Sequence, residues 1–364
     1  MPNSASSRPP RVADLVRLIE ERAARLAGQE IRLMEVCGTH TMALFRSGVR
    51  SMMPANVKLI SGPGCPVCVT PMGVVDASVE VARRDGVTVA TFGDMLRVPG
   101  RRSSLERARA EGADVRVVYS PLDALKMAET EPRRTVVFLA IGFETTSPAV
   151  AATVAYARGR GLKNLLFIVT HKVIPPAMVA ILEGGEARVK GFLCPGHVSV
   201  TTGSAVFEPL AERYHAPCVV TGFEAEDLLE GVGMLLLQIV EDKPRVEIQY
   251  KRWVTREGNA KARERINEVF EVCDTAWRGL GTIPGSGLRL RDELRRFDAI
   301  DQLGIEVPPE LENPGCSCGE VIRGVMDPPE CPLFANACTP ASPVGPCMVS
   351  TEGSCAAFYK YGEK

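Results

Sequence analysis

The chain has 364 residues, 45% of them hydrophobic, with 43 basic and 44 acidic side chains for a formal net charge of -1. That is enough apolar material to fill several cores, and a balanced charge without a polybasic block argues against nucleic acid or an anionic membrane as the main partner. The opening residues MPNSASSRPPRVADL lack the apolar core of a secretory signal, and no apolar run approaches the ~20 residues that span a bilayer, so a cytoplasmic protein is expected.

After a polar start, VADLVRLIEERAARLAG carries apolar residues at helical spacing and predicts an amphipathic helix that ends near Gly28. Four short apolar segments follow: IRLMEV (31–36), VKLIS (57–61), VTVATF (87–92) and VRVVYS (115–120). Each runs into a Gly- or Pro-bearing loop and then a helical pattern, the alternation of a parallel sheet with helices on its faces. Beyond ETEPRR a second set appears: TVVFLAIG (135–142), NLLFIVT (164–170), VKGFLCP (189–195) and PCVVTG (217–222). The tripeptide GFE recurs at 142–144 and 222–224. The expected fold is therefore α/β, with two related parallel-sheet domains at 31–132 and 133–241. The helix within 1–30 is expected to pack with a C-terminal domain, 242–364.

That last segment begins with a strand candidate, RVEIQYKRWV, and a helix, KARERINEVFEV, and then turns rich in Gly, Pro and Cys. It buries too little apolar surface to order itself unaided, so something is expected to cross-link it. In a reducing compartment, the 12 cysteines read as metal ligands, catalytic groups or core residues rather than a disulfide framework.

Cys37, in EVCGTH, follows a strand and precedes a helix, where the helix dipole favours thiolate. With His40 one turn on, it suits a nucleophile or a soft iron ligand; the bland alternative is packing at a strand end. Cys65 and Cys68, in GPGCPVC, also sit at the C-terminal end of a strand, on the edge where open α/β sheets bind ligands. The pair reads as a reversible disulfide, half a zinc site, or packing. In the tail, Cys318, Cys331, Cys338 and Cys355 give C-x12-C-x6-C-x16-C, a spacing that favours a cuboidal iron–sulfur cluster over zinc. Cys316 is a substitute for Cys318, and Cys347 a bystander. Glu352 beside the tail is a proton-handling candidate or a capping carboxylate. Glu144, Glu224 and Asp94 read as cleft residues or helix caps, and His171 and His197 as structural. No phosphate-binding loop is present.

Taken in order from about residue 31, the motifs EVCGTH, GPGCPVC, TFGDMLRVPG, GADVRVVYSPLDAL, GFETTSP, PGHVS, the second GFE and the tail's CGEVIRG, CPLF and MVSTEGSC resemble the HypD family of NiFe-hydrogenase maturation factors. The resemblance implies a redox-active cytoplasmic scaffold rather than a conventional turnover enzyme. Together with a small HypC-type chaperone, such a factor holds a transient iron while an Fe(CN)2CO unit is built, with cyanide delivered by a HypE-type donor. The unit then passes to the hydrogenase large subunit. By motif, Cys37 corresponds to the iron-holding thiolate with His40 beside it, and Cys65 and Cys68 to the redox-active pair. Cys318, Cys331, Cys338 and Cys355 correspond to the ligands of a 4Fe-4S cluster, and Glu352 to a carboxylate close to it. The ligand directly before Gly-Glu is Cys318, which favours it over Cys316. The alternatives are a stand-alone iron–sulfur thiol-disulfide oxidoreductase, which has no need of Cys37 and His40, and a zinc-stabilised interaction protein.

Overall fold

The computed structural model describes residues 12–310, 313 and 315–362; the polar start expected ahead of the first helix lies outside them. Among the described residues, eleven strands form three sheets: β1 (Ile31–Glu35), β2 (Val57–Ser61), β3 (Val87–Thr91), β4 (Val115–Val117), β5 (Thr135–Ala140), β6 (Leu165–Val169), β7 (Val189–Pro195), β8 (Cys218–Thr221), β9 (Val246–Ile248), β10 (Phe270–Trp277) and β11 (Gly281–Leu290). One parallel sheet has the order β2-β1-β7-β8-β9, a second has β4-β3-β5-β6, and β10 and β11 make an antiparallel ribbon. The α/β class and its parallel sheets are as the alternation of apolar segments and helical patterns predicts.

The sheets do not divide the chain at residue 132. β1 and β2 pair with strands expected in the second set, while β3 and β4 pair with β5 and β6, so the chain starts in one sheet, builds the whole of the other, and returns. The apolar segments look alike because in both sheets they are buried on two faces. Val137 and Leu139 enter one cluster and Phe138 and Ala140 the cluster on the opposite face; in the first sheet Leu33 and Met34 divide in the same way. Period-two burial reveals a strand and not its neighbour.

The first helix, Val12–Ala24, buries Leu15, Ile19 and Ala23, spaced four apart on one face, against Leu228, Val232 and Leu235 of the helix Ala225–Glu241. Arg22 donates to Gly233 O at 2.6 Å. The expected partner was the C-terminal segment, and the correction has a simple cause: the helix covers the outer face of the first sheet, where an apolar stripe was already waiting. The C-terminal segment is not one separate body either. β9 extends the first sheet, Phe270 and Leu290 join the core of the second sheet, and Trp277 and Ile283 join a core of the first. The Cys-rich tail is clamped to the first sheet's opening elements. Phe358 packs edge-on against Phe45 at 4.6 Å, Arg50 lies over both rings, and Lys58 and Arg50 pair with Asp327 at 2.8 and 3.5 Å. Among the described residues no helix is long and apolar enough to cross a membrane.

The packing of the first helix predicts that Ile19→Ala lowers the unfolding free energy by about 2–4 kcal/mol, whereas Glu20→Ala, on the exposed face, stays within about 0.5 kcal/mol. Urea denaturation of the two variants measures both.

Candidate functional site

The C-terminal ends of β1, β2 and β7 face those of β3 and β5 across a cavity of about 290 Å³. Cys37 sits on its wall. The residue is extended, φ −152° and ψ 120°, and occupies the N-cap position of the helix Gly38–Arg46 without a side-chain capping bond. Its backbone is held by Glu35, whose carboxylate accepts from Cys37 N–H at 3.0 Å and from Thr41 Oγ1 at 2.5 Å. The GPGCPVC loop lies directly on it: Gly38 N–H donates to Gly64 O at 2.9 Å, and a Cβ at residue 64 would stand 2.1 Å from Cys37 N. Only glycine allows that approach.

The electrostatics differ from the expectation of a ready thiolate. Burial pushes the Cys37 thiol up to about 12, outweighing the amides of His40 and Thr39 that pull it down. The His40 ring also turns elsewhere. Its Nε2 lies 3.0 Å from Gly222 O and 3.2 Å from Thr221 Oγ1 at the end of β8, and burial lowers it to about 4, so the imidazole is neutral and ties two strand ends together.

Glu352 enters the cavity from the tail, accepting from Thr39 Oγ1 at 2.7 Å. His197 lines the opposite side, its ring stacked on Phe223 at 3.9 Å. Sequence reasoning set His197 aside as structural, yet PGHVS follows a parallel strand just as EVCGTH does, and that shared position was the available signal. The second sheet contributes Phe92, Ile141, Thr145 and Thr146. The remaining candidates serve the framework. Glu224 forms a capping box with Asp227, Glu144 accepts from Ile174 N–H at 3.0 Å, Asp94 accepts from Ser350 Oγ at 3.0 Å, and the His171 ring is buried beside Gly142 O.

Behind the cavity wall lie the paired thiols. Cys65 Sγ accepts from Cys68 N–H at 3.2 Å and caps the short helix Pro66–Val69; both cysteines are buried. Burial holds the Cys68 thiol well above its ordinary value, and Cys68 lies in one buried cluster with Cys347. Cys347 in turn stands 3.0 Å from Cys318 Sγ and lines one cavity with Cys355. The residue read as a bystander is thus the contact between the CPVC pair and the tail. Spacing could not reveal this, because the contact arises from two short helices, Pro66–Val69 and Pro346–Val349, packing together.

Six tail cysteines, Cys316, Cys318, Cys331, Cys338, Cys347 and Cys355, line one enclosed cavity. That donor set suits a soft metal or an iron–sulfur cube. The cavity measures only about 20 Å³, the room of roughly one water. Among the described residues no group of three or more Cys, His, Asp or Glu side chains is already arranged to hold a metal ion. A cluster would enter by spreading these thiols.

A model of the HypD family, described as the hydrogenase formation hypA family, matches residues 11–362. The chain is 48% identical over 354 residues to the hydrogenase maturation factor HypD of Azotobacter vinelandii, covering 94% of this chain and 93% of that protein. It is equally similar to the hydrogenase expression/formation protein HupD of Azotobacter chroococcum mcd 1, at 48% over 354 residues. To HypD of Escherichia coli (strain K12) it is 45% identical over 360 residues, covering 98% of this chain and 96% of that one.

Burial pushes the Glu144 carboxyl from 4.5 up to about 7. Within that window the folded protein keeps the proton that the unfolded chain releases, so the stability from this group is present at low pH and lost as pH rises through the window. Glu144→Gln, which cannot ionise, should therefore gain on the wild type by up to about 3 kcal/mol across the window and no further above it. Urea melts at a series of pH values test this; a difference that stays flat counts against the buried acid.

Proposed function

The chain belongs to the HypD family of hydrogenase maturation factors, and on that premise we propose that it is the redox-active scaffold on which an Fe(CN)2CO unit is assembled before delivery to a hydrogenase large subunit. The observation that carries the reading is the contiguity of the sulfur centres. Cys37 stands on a cavity wall, the CPVC loop rests on its backbone, and Cys68 shares a buried cluster with Cys347 and Cys318 of the tail, whose short helix packs on the CPVC helix.

In this reading the cargo iron binds Cys37 as thiolate, and its positive charge supplies the stabilisation that burial withholds. Phe92, Met95 and Ile141 keep water from the cavity, and Glu352, hydrogen-bonded to Thr39, takes the proton that Cys37 gives up. Cys65 and Cys68, on closing to a disulfide, would give two electrons and two protons to the ligand chemistry at the cargo iron, and two electrons and two protons would restore the dithiol. A 4Fe-4S cluster held by Cys318, Cys331, Cys338 and Cys355 would supply electrons singly. Cys347 stands between the dithiol and that site. A small HypC-type partner closes the cavity mouth and a HypE-type protein delivers cyanide there. A dithiol that must return to its reduced form belongs in the cytoplasm.

The test is anaerobic co-purification with the small partner, read by infrared absorption in the cyanide and carbonyl region. Wild type should show the bands; Cys37→Ala, Cys65→Ser and Cys68→Ser should lose them, and Glu352→Gln should weaken them. Bands that persist in Cys37→Ala overturn the scaffold, and bands that persist in both serine variants overturn the dithiol's part. Turnover of a disulfide substrate without any partner would instead mark a stand-alone reductase.

A further inference from the structure

Arg278 lies outside every motif discussed above, yet it stands between the two sulfur centres. It sits in the turn of the β10–β11 ribbon, beside Trp277. Its backbone N–H donates to Val69 O at 2.9 Å and its Nε to Thr70 O at 3.0 Å, both at the end of the CPVC helix. Its side chain is 4% exposed. Nη1 forms an ion pair with a Glu310 oxygen at 3.9 Å, longer than a hydrogen bond, and the buried Nη2 has no hydrogen-bond partner.

The side chain lines a space of about 10 Å³ with Cys316, Cys318, Gly319 and Gly345. Glycines on both sides set this arrangement. Gly279, at φ +76°, presses on the start of the helix Cys318–Ile322, where an added Cβ would stand 2.4 Å from Gly319 Cα. A Cβ at Gly345 would stand 2.8 Å from Cys316 Sγ. The backbone therefore leaves a gap between a guanidinium and two sulfurs that only a very small body can enter. A buried cation with an unmade hydrogen bond is costly, and the cost is offset if the groups facing it carry negative charge.

We propose that Arg278 is an electrostatic positioning residue for the tail thiols: its guanidinium faces the sulfur of Cys318, a ligand of the cluster proposed above, and of its neighbour Cys316, and favours the electron-rich state of that cluster, while fixing that site against the end of the CPVC helix. This rests on the scaffold reading above. The cation lowers the energy of the state with one more negative charge, so the midpoint potential of the tail centre is higher than it would be beside a neutral side chain.

The test uses the full chain purified anaerobically, with iron and acid-labile sulfide counted. Dithionite then supplies one electron per cluster in a mediated titration followed by electron paramagnetic resonance. Arg278→Gln should take up iron as the wild type does but show, at any fixed potential, a reduced-to-oxidised ratio about tenfold lower, ~59 mV for one electron. Arg278→Lys, which keeps the charge, should remain near the wild type. An unmoved potential in Arg278→Gln, an equal shift in both variants, or failure of both to take up iron overturns the proposal, the last by marking Arg278 as a purely structural tie. A wild type that takes up no cluster overturns this proposal together with the cluster reading, whereas a loaded wild type with unmoved variants overturns this proposal alone.

Discussion

Gly64 carries its carbonyl to within hydrogen-bonding distance of Gly38 N–H, and its missing side chain lets one backbone lie on another at the open edge of the first sheet. The seating of the CPVC pair behind Cys37 follows from that approach. With a side chain there, the loop after β2 would stand off from the loop after β1, and Cys65 and Cys68 would no longer sit behind the wall that carries Cys37. Gly62 repeats the device against Met34 and Val36, and Gly38 against Glu352. Three glycines thus bring three separate parts of the chain to one place.

The second constraint is electrostatic. Burial raises the thiols of Cys37 and Cys68, so in the bare protein these sulfurs are stored as neutral groups in an apolar setting. On the proposed reading, a cation bound at Cys37 would restore the thiolate that burial withholds. The same burial keeps His40 neutral, which lets its ring act as a hydrogen-bonding strut between the Cys37 helix and β8.

The return of the chain to its first sheet gives the cavity its two-sided form. Because β1, β2 and β7 lie in one parallel sheet and β3 and β5 in the other, loops far apart in sequence meet edge to edge, and the tail adds Glu352 from a third direction. The ribbon β10–β11 braces this from behind: Trp277 stacks with Phe143, which lines the cavity, while the next residue, Arg278, reaches the tail cysteines. One hairpin turn therefore touches both centres.

Local chemistry was legible in the residues themselves. Apolar runs marked the strands, and strand-to-helix turns placed Cys37 and Cys65 at an open edge. What the chain could not reveal alone was partnership. Strands buried on both faces look alike whichever sheet receives them, so the interleaving of the two sheets was hidden. Cys347 and Arg278 carry no periodic or spacing signal, and His197 resembled a lone core histidine. Their places were decided by packing between elements some 25 to 280 residues apart, where shape and burial act only once the chain has closed on itself.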